Sequence, residues 1–319
     1  MNLYPFQFEP ILKERIWGGT KLKNYLIKPI TSEITGESWE LSTVPSDVSV
    51  VKNGLFKGKN LNELIDLYPE EMLGKTVFAR FGKQFPLLFK YLDAREDLSI
   101  QLHPNDELAK ARHNSFGKTE MWYVMQADEN ARLIVGFKED SSREEYLHHI
   151  ENKKLISLLN EVPVKKGDVF FLETGTIHAI GAGIVIAEIQ QTSDVTYRIY
   201  DWDRVDANGN ERELHTELAL DAINYKTTFA KKEYKSTENK STSLVDCPYF
   251  KTNIILLNGE LLIEKTSDSF MVFMCAEGSF ELFLNDEKYA YQTGDTVLIP
   301  AIYTSFLLRG TANLLEITI

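Results

Sequence analysis

Two stretches of this chain repeat one another: Lys166-Gly167-Asp168-Val169-Phe170-Phe171-Leu172 and Thr293-Gly294-Asp295-Thr296-Val297-Leu298-Ile299. In each, a Gly-Asp turn opens onto a run rich in β-branched and aromatic residues, the pattern of a turn launching a buried strand. The strands upstream correspond as well, with Tyr123–Ala127 set beside Val272–Ala276, each followed by a turn and another strand. One supersecondary unit built twice is the most economical reading of such a repeat. The sequence therefore predicts a mainly β protein made of two related jelly-roll or β-barrel units. A length of 319 residues, about twice that of a usual single domain, accommodates both.

The rest of the chain fits that frame. Short β-type runs bounded by turn signals recur at Val169–Leu172, Ile184–Ile189, Asn253–Leu257 and Thr296–Ile299. Helical spacing is confined to residues 60–73, 105–113, 143–159 and 212–223. Ser141-Ser142 before Arg143-Glu144-Glu145 offers a cap with acids in the first turn, and Pro104 sits where a helix can begin. The polar run 231–243 reads as a connector. The expected organisation is a metal-binding unit over residues 1–230, with the helices as small additions, and a carboxyl-terminal unit over 244–319.

Composition removes several classes. No window approaches the roughly 18 apolar residues needed to cross a bilayer, so no membrane partner is expected. The net charge of −12, with no basic run interleaved with aromatics, argues against nucleic acid. Cys247 and Cys275 are the two cysteines, too few for a disulfide framework, and Met1–Pro10 has no basic region followed by an apolar one. A cytoplasmic location is expected, as a monomer or homodimer. If the substrate carries phosphate, a few local cations must overcome an unfavourable global field.

The chemistry-bearing residues gather in the first unit. Gln101 and His103 are two apart in a strand-like run and project from one face. Glu120 follows a loop and precedes the apolar strand Met121–Met125, and His178 follows the strand 169–172 across the turn Glu173-Thr174-Gly175-Thr176-Ile177. Antiparallel pairing can assemble Gln101, His103, Glu120 and His178 into one coordination sphere. Imidazole with carboxylate suits zinc, with iron, manganese and cobalt as neighbours in preference, and room for water marks a catalytic site. One Zn2+ per chain is the expectation. Counting along the second unit places Ser269 and Ser305 where Glu120 and His178 stand, so that unit is expected to hold no metal. His113, His148, His149 and His215 fall in charged helical patterns and are expected to be solvated. Trp17 and Trp39 are candidates to cover a sugar face.

The segments Pro86–Ala94 and Asp97–Pro104 resemble those of the type I mannose-6-phosphate isomerases. So do Gly117-Lys118-Thr119-Glu120-Met121-Trp122, Gly175–Ile180, Arg15–Gly19 and Glu37–Glu40. The run Gln190–Arg204 is the most specific match, and the resemblance spans nearly the whole chain. It implies an RmlC-like cupin architecture. It also implies a zinc-dependent isomerase that interconverts mannose 6-phosphate and fructose 6-phosphate through a cis-enediolate. On this resemblance Arg198 is the active-site arginine and Lys118 a second catalytic cation, with Trp17, Lys90 and Ser99 as substrate contacts. Two departures stand out: the chain resembles the compact bacterial branch, with little helical insertion, and Thr119 stands where many relatives have proline. The general base stays open among Glu40, Glu173, Asp194 and His178. Rival readings are a non-catalytic sugar-phosphate sensor, a cupin isomerase of another aldose, and an iron oxygenase or oxalate-type cupin. Gln101 in place of a third histidine argues against the last.

Overall fold

The computed structural model describes residues 3–205 and 209–319. In the first unit a seven-stranded sheet runs in the order Ile11–Gly19, Thr35–Leu41, Leu87–Ala94, Ile184–Gln191, Glu120–Ala127, Val169–Leu172, Lys231–Lys232. A five-stranded sheet lies against it, in the order Tyr197–Tyr200, Ile100–Leu102, His178–Ile180, Arg132–Phe137, Leu159–Pro163. The second unit orders Ser241–Asp246, Lys251–Glu264, Ser305–Thr318, Met271–Leu284 and Glu287–Gln292, with Thr296–Ile299 also paired to Met271–Leu284. Neighbouring strands are antiparallel. The units are jelly rolls of packed sheets rather than closed barrels. The run 231–243 contributes Lys231–Lys232 to the edge of the first unit's sheet and the opening residues of Ser241–Asp246 to the second.

The repeat is visible as hydrogen bonds. Gly167 N–H donates to Val124 O at 2.8 Å and Val124 N–H to Asp168 O at 2.9 Å; Gly294 to Cys275 and Cys275 to Asp295 repeat both distances. Both glycines sit at φ +89°, which only glycine adopts without strain. These bonds make Val124 the counterpart of Cys275, two residues from the match that residue types alone suggest. Strand register is set by ladder bonds and not by similarity of side chains. The counterpart of Glu120 is therefore Met271, opposite Ile299 as Glu120 is opposite Leu172, and not Ser269.

Alternation divides each strand between two environments. On the seven-stranded sheet Phe89, Tyr91, Met121, Tyr123, Val185 and Ala187 point outward into a core shared with Ile254, Val272, Met274, Leu298 and Leu315 of the second unit. On the five-stranded sheet Ile100, Leu102, Ile134, Ala179, Tyr197 and Ile199 point outward under the helices Arg143–Glu151, Leu155–Leu158 and Thr216–Leu220. The inner faces meet through Leu92, Trp122, Val124, Leu133, Val135, Ile180 and Ile186. Each fully buried aliphatic or aromatic side chain there contributes about 1.5–3 kcal/mol, and apolar contact at this end leaves the other end of the interior for polar groups.

The helices are shorter than the spacing predicts. Asn60 caps Leu61–Leu67 in a reciprocal box with Glu63, and a second helix, Pro69–Leu73, completes that segment. Asn105 caps Asp106–His113 through Leu108 N–H, so the helix begins two residues after Pro104. Ser142 caps Arg143–Glu151 as expected, but Lys153 at φ +56° breaks the segment, and Leu159 already belongs to a strand. Of residues 212–223 only Thr216–Leu220 is helical. His215 exchanges two bonds with Arg198, and Arg212 reaches Asp201, which holds the chain before Thr216 extended along the strand. No helix among the described residues is long and apolar enough to cross a membrane.

Candidate active site

Polar residues fill the open end of the first unit's interior in rows fixed by register. On the five-stranded sheet Arg198 pairs with Gln101 and Gln101 with His178, so three functional side chains share one face. On the seven-stranded sheet Trp39, Lys90, Glu188 and Trp122 form a row across four strands, with Glu37 and Glu120 two residues along on the same face. Between the sheets lies a cavity of about 540 Å3 lined by residues of both rows.

Three side chains converge beside it, at the end lined by His178 and Lys118. His103, Glu120 and His178 are buried, and their donor atoms lie within 4.8 Å of one another, the one such cluster of His, Cys, Asp and Glu among the described residues. His103 Nδ1 donates to Val195 O at 2.8 Å and His178 Nδ1 to Thr176 O at 2.9 Å. Because a carbonyl only accepts, each ring carries its proton on Nδ1 and turns the Nε2 lone pair inward. Gly175, at φ +83°, makes the turn that delivers His178; a Cβ there would meet Ala222 O at 2.5 Å. The same residue donates its N–H to His103 O, tying the two histidine segments together.

This donor set fits a divalent metal. His178 Nε2 and Glu120 Oε1 face each other at 3.5 Å, buried and without any hydrogen-bond partner. With Glu120 ionised neither offers a proton to the other, and an orphaned buried polar atom costs about 1–3 kcal/mol. A shared cation would satisfy both. Lys118 Nζ already bonds Glu120 Oε2 at 2.6 Å and His103 Nε2 at 3.0 Å, which shows the local preference for positive charge. Burial and Lys118 together hold His178 down to about 4, and burial foremost holds His103 well below the usual imidazole range. Both rings are thus in the neutral form that binds metal. Burial pushes Glu120 up. Glu188 is held low, because Lys118 and Lys90 outweigh its burial. Lys118 in turn stays charged, its burial overcome by Glu120 and Glu188. Gln101 lines the same cavity, and its Oε1 accepts from the Ser99 hydroxyl at 3.2 Å.

The remaining expected residues divide. Trp17, Lys90, Ser99, Lys118 and Arg198 line the cavity, as does Trp39, whose ring has Lys13 and Lys90 ammonium groups each 5.0 Å from its centroid. Arg198 has no carboxylate partner among the described residues: Nη1 donates to Glu213 O at 2.8 Å and Nε is buried without a partner. Asp201 is taken instead by Arg204 and Arg212. Glu40 leaves the set of possible bases, since it lies on the opposite face of its strand in a buried 2.7 Å ion pair with Lys28. Glu173 leaves it too, exposed in the turn and outside the lining. Asp194 stays at the rim. His113 and His148 are exposed as expected and His149 is half-buried, but His215 is committed, its Nδ1 accepting the Arg198 backbone N–H at 3.1 Å.

Sequence reasoning missed Glu188, Glu37 and Arg212. Glu188 bonds Trp122 Nε1 at 2.9 Å and pairs with Lys90 at 3.1 Å; Glu37 takes Arg15 in a two-point bond and Trp39 Nε1 at 2.6 Å. A lone acid inside the apolar run Ile184–Gln191 was the available signal, because such a charge survives burial only with a partner.

Comparison with known proteins bears on the same residues. The family model described as phosphomannose isomerase type I, catalytic domain, matches residues 6–132, and that of the mannose-6-phosphate isomerase cupin domain matches 240–319. The mannose-6-phosphate isomerase ManA of Bacillus subtilis is 38% identical over 317 residues, 98% of each chain. That of Streptococcus mutans is 38% identical over 315 residues, 98% of this chain and 97% of its own. Both full-length similarities take in His178 and Arg198, which fall between the two matched ranges. Among solved structures, the mannose 6-phosphate isomerase from Bacillus subtilis superposes with a TM-score of 0.90 at 36% identity, covering 99% of this chain and 100% of that one. Mutants of phosphomannose isomerase from Salmonella typhimurium share the fold, with a TM-score of 0.82 at 17% identity and 99% coverage of both chains.

Proposed function

Since the chain belongs to the type I phosphomannose isomerase family, we propose that its cavity binds the open-chain sugar phosphate over a zinc ion held by Gln101, His103, Glu120 and His178. The protein is an aldose–ketose isomerase that interconverts D-mannose 6-phosphate and D-fructose 6-phosphate. The observation that carries the active-site reading is the facing, unpartnered pair His178 Nε2 and Glu120 Oε1, with His178 in one row with Arg198, a guanidinium without a carboxylate partner among the described residues.

The reaction takes the proton from C2 of the aldose and returns it at C1, while the C1 carbonyl becomes a hydroxyl and the C2 hydroxyl a carbonyl. The enediolate between them carries negative oxygen that must be met as it forms. Bound zinc supplies Lewis-acid stabilisation of such oxygen. Lys118 keeps a positive charge at the floor, and the inner faces of Trp122 and Trp17 exclude water there. Arg198 presents a planar, always-charged fork from the next-but-one strand. Trp17, Lys90 and Ser99 form the walls against which the sugar is oriented. With Cys247 and Cys275 both free thiols, a reducing compartment suits the protein, and we place its action in the cytoplasm.

A coupled assay of mannose 6-phosphate conversion before chelation, after it, and with zinc restored tests the reading. Turnover should vanish and return. Undiminished turnover in metal-stripped protein would remove the metal from the mechanism.

A further inference from the structure

The charges around the cavity do not cancel evenly, and the imbalance locates the part of the substrate that the chemistry does not touch. Arg15 has all three guanidinium nitrogens occupied, by Glu37 and by Glu14 O. Lys90 is paired with Glu188, and Lys118 with Glu120. Two lining cations differ. Arg198 has no carboxylate partner among the described residues. Arg212 shares one, Asp201, with Arg204, and its Nη1 makes no hydrogen bond to any described residue. Arg204 is fixed away from the lining by Asp201 and Asp97 O. Two arginines therefore meet at one buried carboxylate, and Arg198 and Arg212, which line the cavity, keep donors to spare.

We infer that Arg212, held by Asp201, is a specificity-determining residue that clamps the substrate's phosphate together with Arg198 at the mouth of the cavity. This rests on the sugar-phosphate reading above and deepens it. The geometry supports it from both ends. His178 and Arg198 stand two strands apart in one row, so their backbones are about 10 Å from each other. An extended six-carbon sugar phosphate with its reacting carbons at the buried floor puts its phosphate at the half-exposed arginine end. The guanidinium is suited to the task, since a planar fork binds phosphate oxygens in pairs and keeps its charge at any working pH.

Asp201 is the positioning residue. It accepts from Arg212 Nε and Nη2, which fixes the plane of the guanidinium and leaves Nη1 directed elsewhere. Burial foremost, and then the charge of Arg212, hold the Arg198 guanidinium below its usual range. Two like charges placed together at a rim cost energy unless an anion joins them, which a phosphate dianion does.

The test is steady-state kinetics on the metal-loaded enzyme with mannose 6-phosphate as substrate and inorganic phosphate as competing ligand. Arg212→Gln should raise KM roughly tenfold to a hundredfold, the loss of one charge-assisted contact, with a much smaller change in kcat. The inhibition constant of inorganic phosphate should weaken in parallel. Arg212→Lys should fall between the two, which a purely structural role would not produce, and Asp201→Asn should raise KM without loss of bound metal. An unchanged KM in Arg212→Gln, or a lower kcat at constant KM, overturns the inference. If the unaltered enzyme fails to turn over mannose 6-phosphate at all, it is the underlying reading that fails.

Discussion

The two units build the same bracket and fill it differently. Where the first has Glu120, Trp122 and Val124 facing inward, the second has Met271, Phe273 and Cys275, which pack with Val297, Ile299, Phe306 and Leu308 into a closed apolar core. The same turn geometry and strand pairing thus support either an interior with seven buried ionisable groups, Glu37, Lys90, His103, Lys118, Glu120, His178 and Glu188, or a solid apolar one. Function resides in the side chains grafted on the fold and not in the fold. Burying charge costs several kcal/mol per ion even when paired, so the first unit spends stability that the second, packed against its back face, does not have to. The shared core that joins them contains the outward residues of the strands that carry Lys90, Glu120 and Glu188.

The largest expected effect breaks the first unit's side of the comparison. His178→Ala should leave dialysed protein with little bound metal and activity at background, measured by metal analysis beside the coupled assay. One full equivalent of metal in that variant would dissolve the proposed cluster. Phe273→Ala, the reverse operation in the second unit, should cost about 3–5 kcal/mol of stability in denaturant unfolding, with kcat per folded molecule unchanged. A selective loss of kcat there would show the second unit acting in the chemistry. Arg198→Ala should lower kcat/KM by about 10²–10³-fold, the loss of a two-point charge-assisted contact, while metal content and melting temperature stay near those of the unaltered protein; an equal kcat/KM would take Arg198 out of the mechanism. The smallest effect sharpens the contrast. Ser305→His restores a histidine where counting along the repeat puts the equivalent of His178, yet Ser305 is exposed and begins a strand opposite Glu264. Stability should move by less than about 0.5 kcal/mol, and titration with zinc should detect no new site.

Much of this was legible in the sequence because it is local. The Gly-Asp turns, the two-residue spacing of Gln101 and His103, and the turn before His178 are short-range patterns with a physical cause. Glu188 and Arg212 were not, because their significance is made by neighbours far along the chain. Glu188 lies opposite Lys90 and Trp122 only once three strands pair. Arg212 sits in a helical pattern that the bonds between His215 and Arg198 override. The two-residue slip between Ser269 and Met271 has the same origin: similarity of residue type cannot fix a register that ladder hydrogen bonds decide. Glu40 shows the converse error, a plausible acid whose strand parity turns it away from the cavity toward Lys28, whose ammonium also donates to the Gly294 carbonyl of the second unit.

The central claim, that a metal sits on His103, Glu120 and His178 with Gln101 beside them, is tested most directly by X-ray absorption at the zinc edge on zinc-loaded protein. The account expects a first shell of nitrogen and oxygen at about 2.0–2.2 Å with the outer-shell scattering of two imidazoles. Sulfur at about 2.3 Å, or a shell without imidazole, would contradict it, since no cysteine lines this cavity.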